Sequence, residues 1–285
     1  MEYKFVSTNS DILTEELKKH VSRRFYKNIK AHKCVFFRNG IEYPGYKMVE
    51  KGDIISFNYD RENVIEWDLY ESKLDIRYEN KDYIVCYKRR GLLSIPKKSE
   101  PKSLYQEVLY YLKENNLSLE VSILNRLDQD TEGLCLVAKN RFAASKMSPV
   151  HLHIKRRYLA LLDGILDIKS GRIENYIKKS DETGLREITN DKINGKIAIS
   201  NYKVIKEFDN KSLVEFELET GRTHQIRCHS KYLGHPIIGD KLYGNGIGNR
   251  MYLLSYYIEF YDEINDINFK YELDKKEIEE WVKIE

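Results

Sequence analysis

Several familiar signals are missing from this chain of 285 residues. It has no apolar run of about 18 residues, so no membrane-spanning helix is expected. Its first residues, MEYKFVSTNS, lack a basic-then-apolar layout and a small-residue cleavage site, so no secretory signal is expected either. The cysteines Cys34, Cys86, Cys135 and Cys228 stand far apart and form no CxxC pair. That excludes zinc-ribbon spacing and suggests reduced thiols in a cytoplasmic protein rather than a disulfide framework. Gly-rich phosphate loops, internal repeats and low-complexity segments are absent too. Nor does one sign of charge dominate: 48 Lys and Arg against 45 Asp and Glu leave +3, which argues neither for nor against nucleic acid.

What is present is a 41% hydrophobic share, enough for a real core, in a length that suits a large domain plus a small one. Charge is also unevenly placed. The segment KKHVSRRFYKNIKAHK, residues 18–33, has many cations and no acid. If it is helical, Lys19, Arg23, Lys27 and Lys30 lie along one face, while Phe25 and Ile29 anchor another. Such a stripe suits an RNA phosphate backbone; a solvated helix face is the plainer alternative. Short strands follow, punctuated by Asn39-Gly40, Pro44-Gly45 and Gly52-Asp53. We expect a small module over residues 1–66 and a main domain over 67–285, divided within the polar stretch 59–73.

The main domain mixes strand and helix signals without strict βαβ alternation, which predicts an α+β fold. DYIVCYKR, GLCLVAK and RYLALLDG read as strands, and PKSLYQEVLYYLKENN as a helix starting at Pro101. SLVEFELET alternates Val214, Phe216 and Leu218 against Glu215, Glu217 and Glu219. HQIRCHSKYL reads as a helix capped by Thr223 and stopped at Gly234. A hairpin and a last helix close the chain.

Two stretches carry the chemistry. The first, NRLDQDTEG, sets Asp128, Asp130 and Glu132 on alternate positions. A calcium loop would need a carboxylate at position twelve, where Lys139 stands, and the flanks are strand-like. His151/His153 and His224/His229 lack metal-binding helix spacing, so no metal is expected. A catalytic aspartate remains open, with Arg126 near it. The second stretch, ETGRTHQIRCHSKYLGHPIIGDKLYG, crowds Arg222, His224, Gln225 and Arg227 into one helix start, more donors than capping requires.

Together these stretches resemble the signatures of the RluA-type RNA pseudouridine synthases. RRYLALLDG resembles that family's intervening segment and YENKDYIVCYKRRGLLSIP its first strand, so the likeness spans residues 76–260 in the right order. The resemblance implies a pseudouridine synthase fold with a mixed, largely antiparallel central sheet. It implies isomerisation of uridine in ribosomal or transfer RNA, with no cofactor, by a cytoplasmic protein expected to be monomeric. Asp128 would be the catalytic carboxylate, Arg222 its pairing partner, and Tyr158 the residue packing on an extruded uracil and assisting proton removal at carbon five. Arg126 would fill the space that the base leaves, and Thr131, His224, Gln225 and Arg227 would join it in contacting RNA. Residues 1–66 resemble, more loosely, the alpha-L RNA-binding domain often fused to these enzymes.

Asn125, Glu132, Arg156, Arg89 and Leu254 depart from the family pattern. Glu132, if it faces Asp128, should narrow activity at acidic pH. Two other readings compete: an RNA-binding or ribosome-assembly protein that has lost turnover, supported by Asn125, Glu132 and Leu254, and a glycosidase using Asp128 with Asp130. Two carboxyls in one loop span a sugar poorly.

Overall fold

The computed structural model describes residues 2–59, 69–97, 102–147, 154–246, 248–262 and 264–283. The 66/67 boundary, Pro101, His151 and His153 lie outside them.

Residues 2–59 build a small sheet. Glu2–Val6 pairs with Ile54–Asn58, which pairs with Phe36–Arg38, which pairs with Ile41–Glu42. Asn39 and Gly40, both left-handed at φ 50° and 83°, close the tight hairpin between the last two. Two helices, Leu13–His20 and Arg23–Ala31, cover this sheet. Val21 is extended, and the Ser22 hydroxyl caps the second helix by accepting from the Phe25 amide at 3.3 Å. The basic segment is therefore broken where one continuous stripe was expected. Lys19 sits on the first helix, its ammonium donating to Asp11 at 2.7 Å and Glu16 at 2.9 Å. Arg23, Lys27 and Lys30 stay exposed on the second helix, without a carboxylate partner among the described residues. Phe25 and Ile29 are buried as the spacing required. Phe142, on the helix Arg141–Lys146, packs on Tyr3 and Phe57 and so joins this core to a later part of the chain.

The larger sheet has eleven strands. Its central path runs Arg186–Thr189, Ser170–Lys179, Lys196–Phe208, Lys211–Leu218, Lys155–Asp163, Leu253–Asp262, Glu132–Ala138, Tyr83–Lys88 and Asp75–Glu79. All these pairs are antiparallel except Glu132–Ala138 against Leu253–Asp262, which is parallel. Gly133 makes that junction possible: at φ 113°, a Cβ would lie 2.1 Å from the Ser255 carbonyl oxygen.

Both faces of the central strands are buried, which is why YIVCY and GLCLVA are apolar without a gap. The pleat assigns alternate residues to opposite cores. Ile84, Cys86, Cys135, Val137, Tyr158 and Ala160 meet Leu104, Val108 and Leu112 of the helix Leu104–Glu114. Tyr83, Val85, Leu134, Leu136, Leu159 and Leu161 meet Met147 and Trp281, the latter on the closing helix Lys275–Val282. Each fully buried aliphatic side chain contributes on the order of 1.5–3 kcal/mol.

Candidate active site

Asp128 lies in the loop leading into Glu132–Ala138, and the loop is pinned residue by residue. Buried Asn125 donates to the Leu134 carbonyl at 3.1 Å and accepts the Leu136 amide at 2.6 Å, splinting the loop to its own strand. Ser94 donates to the Leu127 carbonyl at 2.6 Å and accepts the Leu127 amide at 2.9 Å. The Thr131 amide closes a turn on the Asp128 carbonyl at 3.1 Å.

Lys88 is the least expected support. It is fully buried, and its ammonium donates to the carbonyls of Leu92 (2.7 Å), Gln129 (3.0 Å) and Arg89 (3.1 Å). Burial lowers its pKa to about 8, and nearby carboxylates only partly offset this. One cation thus ties the 88–92 turn to the residue after Asp128.

Opposite the loop stands the helix Gln225–Tyr232. His224 in left-handed conformation (φ 58°) caps its start without a side-chain bond, so the cap expected of Thr223 is not made. The stop at Gly234 is as expected: Gly234 N–H donates to Lys231 and His235 N–H to Ser230, a Schellman closure. The tight turn points Arg222 and Arg227 in different directions. Arg222 donates from Nε to the Ile197 carbonyl at 2.8 Å and does not pair with Asp128. The pairing expected of Arg222 belongs to Arg227, whose Nη1 lies 3.6 Å from Asp128 Oδ2. His224 Nε2 approaches the same oxygen at 3.7 Å.

Arg227 is held in place from behind. Its Nε and Nη2 grip both oxygens of fully buried Asp240, at 2.7 and 2.6 Å, and its guanidinium lies 4.9 Å from the Tyr243 ring centre. Burial favours the neutral acid at Asp240, but the Arg227 bonds and the amides of Leu242 and Tyr243 outweigh it and lower its pKa. Tyr243 OH also meets His224 Nδ1 at 2.8 Å, and burial keeps the His224 pKa below the usual imidazole range despite Asp128 nearby. Asp240 and Tyr243 were not singled out from the sequence. The signal was there in GDKLYG, a lone acid downstream of a cation-rich helix.

Besides Arg227, Gln225 and Thr131 were expected to contact RNA and are buried. Gln225 is buried; its amide donates to Ile199 and Ser200 and accepts from Thr220 and Arg222. Thr131 is also buried, as part of the pocket lining. Arg126 is exposed at the rim. Tyr158, on Lys155–Asp163, forms part of the same lining, and burial raises its pKa. The shallow pocket, about 60 Å³, shares Arg126 and Arg222 with a larger trough of about 580 Å³. Lys178, Lys179, Arg186 and Lys196 line that trough, with Asp181 and Asp191 as the opposing charges.

Glu132 does not face Asp128. The strand pleat puts it on the Leu134 and Leu136 side, away from Tyr158. There it accepts Trp281 Nε1 at 3.0 Å and Tyr87 OH at 3.2 Å, with Arg250 at 3.5 Å. The other departures have structural partners too. Arg89 pairs with Glu107 at 2.6 Å, Arg156 donates to the Ile154 carbonyl at 3.1 Å, and Leu254 is buried in the core.

The arrangement sets one carboxylate, Asp128, beside Arg227 and His224 in a pocket that adjoins a cation-lined trough. Comparison with known proteins gives the family. The profile of the RNA pseudouridylate synthases matches residues 82–232. The uncharacterized RNA pseudouridine synthase YjbO of Bacillus subtilis is 34% identical over 229 residues, covering 79% of this chain and 80% of its own length. Ribosomal large subunit pseudouridine synthase D of Buchnera aphidicola is 30% identical over 273 residues, covering 94% and 83%. The solved structure of human RNA pseudouridylate synthase domain containing 1 shares the fold, with a TM-score of 0.59 at 24% identity over 71% of this chain and 84% of its own. The chain belongs to the RNA pseudouridylate synthase family, isomerases that convert uridine in RNA to pseudouridine.

Proposed function

We propose that the chain isomerises uridine in ribosomal RNA, with Asp128 as the catalytic carboxylate and Arg227 as the cation that orients it. The observation that carries this reading is Arg227 locked by buried Asp240 and presented 3.6 Å from Asp128, at the end of a basic trough. Orientation is built in before substrate arrives, so it need not be created during the reaction.

The reaction breaks the bond between N1 of uracil and the ribose and forms one from carbon five. Carbon five loses a proton and N1 gains one, so no oxidant or donor is needed. A stacked uridine cannot reach a pocket whose lining includes Asp128 and Tyr158, which supports extrusion of the base. Tyr158 acts by packing on it, because a phenol whose pKa is raised by burial is a poor general base. Arg126 at the rim enters the space left in the RNA. Arg222 acts from the trough, towards phosphate. The exposed Arg23, Lys27 and Lys30 make residues 1–66 an accessory RNA-binding module of the alpha-L kind. The reading includes action as a monomer in the cytoplasm.

The reading as a binder without turnover loses its support, because Asn125, Glu132 and Leu254 all have structural partners away from Asp128. Incubating wild type and Asp128→Ala with unmodified ribosomal and transfer RNA, then mapping pseudouridine chemically, is the test. Product from wild type alone is expected. No product on any RNA would overturn the proposal.

A further inference from the structure

The basic trough continues beyond the catalytic pocket. It shares Arg186 with a third cavity, of about 320 Å³, between the edge strand Arg186–Thr189 and the helix Gln225–Tyr232. This cavity differs from the trough in kind. Its walls include Leu185, Ile188, Leu242, Tyr232 and Tyr243. Tyr232 is 64% exposed and Leu242 47%, so an aromatic ring and an aliphatic side chain stand in water beside an open apolar hollow. Leaving them wet is unfavourable, and an occupant with apolar faces would cover them.

The rim narrows the choice. Arg186 and Lys231 stand there against the single carboxylate of Glu187, so an anionic carrier is favoured. The volume lies at the low end of small-ligand sites, suited to one flat group and not to a duplex. Continuity with the trough through Arg186 supplies the path of that carrier. We propose that the cavity is a second base subsite, taking an unstacked nucleobase of the same RNA strand that presents the target uridine. The assignment rests on the reading of the chain as an RNA enzyme.

Stacking on Tyr232 and contact with Leu242 provide affinity that tolerates any base, because every base has a π-face. Tyr243 gives the subsite a link to the chemistry. Its ring lines the cavity, while its hydroxyl meets His224 Nδ1 at 2.8 Å and its face lies 4.9 Å below the Arg227 guanidinium. A base seated here therefore bears on the residue that supports both groups facing Asp128.

The test compares binding of a uridine decamer with that of the same decamer stripped of all its bases, by fluorescence anisotropy. Wild type, Tyr232→Ala/Leu242→Ser and Tyr232→Phe are measured. The double substitution is neutral and exposed, so phosphate attraction and the fold are kept. The preference for the base-bearing decamer should be about tenfold smaller in the double variant. Affinity for the stripped decamer should not change, and Tyr232→Phe should behave as wild type. Equal preferences in wild type and double variant would overturn the subsite and leave the hollow to another occupant, such as a protein partner. Because binding is read without turnover, failure of the enzymatic reading shows separately, as absence of pseudouridine in every RNA.

Discussion

The helix Arg23–Ala31 and the helix Gln225–Tyr232 both carry cations, and they treat them in opposite ways. On the first, Arg23, Lys27 and Lys30 are exposed, without carboxylate partners among the described residues. On the second, Arg227 is 4% exposed, doubly bonded to Asp240 and aimed at Asp128. Exposed charges attract a polyanion without specifying where it stops, and salt weakens them. A buried, fixed charge adds little to long-range attraction and instead defines one position. In the function proposed above, each helix takes one half of the task, holding the RNA chain or choosing the atom.

The largest effect is expected where the fixed charge is broken. Arg227→Gln leaves Asp240 buried and half satisfied, a loss of about 3–5 kcal/mol in stability for a severed buried pair. Its turnover should fall at least about a hundredfold. Retained turnover in a folded Arg227→Gln, with loss in Arg222→Gln, would return the partner role to Arg222. Thermal melts and single-turnover assays on both variants decide this.

Lys88 comes next. Its folded pKa, about 8, lies below the unfolded value near 10.4, so as pH rises the folded protein loses this proton near pH 8 while the unfolded chain keeps it to about 10.4. The folded state then no longer buries a charge, so this group's contribution to stability rises with pH through that window. Activity should fall instead, because a neutral amine has too few donors for the carbonyls of Arg89, Leu92 and Gln129. We expect an alkaline limb near pH 8 in the pH–rate profile, with turnover some ten- to a hundredfold lower in Lys88→Met and that limb flattened. A limb unchanged in Lys88→Met would show that the loop does not depend on this cation.

Glu132→Ser tests the pleat. Trp281 and Tyr87 lose their acceptor, which should lower stability by about 2 kcal/mol. The acid limb of activity should not move, because the carboxylate faces the closing helix. A shifted limb with an unaltered melt would reverse that assignment.

The smallest effect belongs to the exposed helix. Replacing Arg23, Lys27 and Lys30 by Ala should weaken RNA binding and reduce the slope of log affinity against log salt by about 2–3. Turnover at saturating RNA should be unaffected. A slope equal to that of wild type would remove residues 1–66 from the RNA interface.

Much of the molecule is legible in its sequence. The unbroken apolar runs marked buried strands, the alternation in SLVEFELET marked a half-buried one, and Gly234 marked a helix stop. Asp128 stood out because its loop and a second, distant, cation-rich stretch together resemble the signatures of one family. The cap at Thr223 and the stripe through Lys19 were not legible, since each depended on one residue's backbone: left-handed His224 and extended Val21. Asp240 and Tyr243 did not stand out, because their value lies in what they touch.

By itself the sequence determined the kinds of elements and the family, and it nominated the carboxylate, because periodicity and motif spacing are properties of neighbours along the chain. Which arginine meets Asp128, and which face Glu132 takes, were decided only by the tertiary structure. One backbone turn at His224 separates two arginines five positions apart, and the pleat that meets Trp281 carries Glu132 away from the pocket. Both outcomes depend on how elements distant in sequence pack, and no local pattern encodes that.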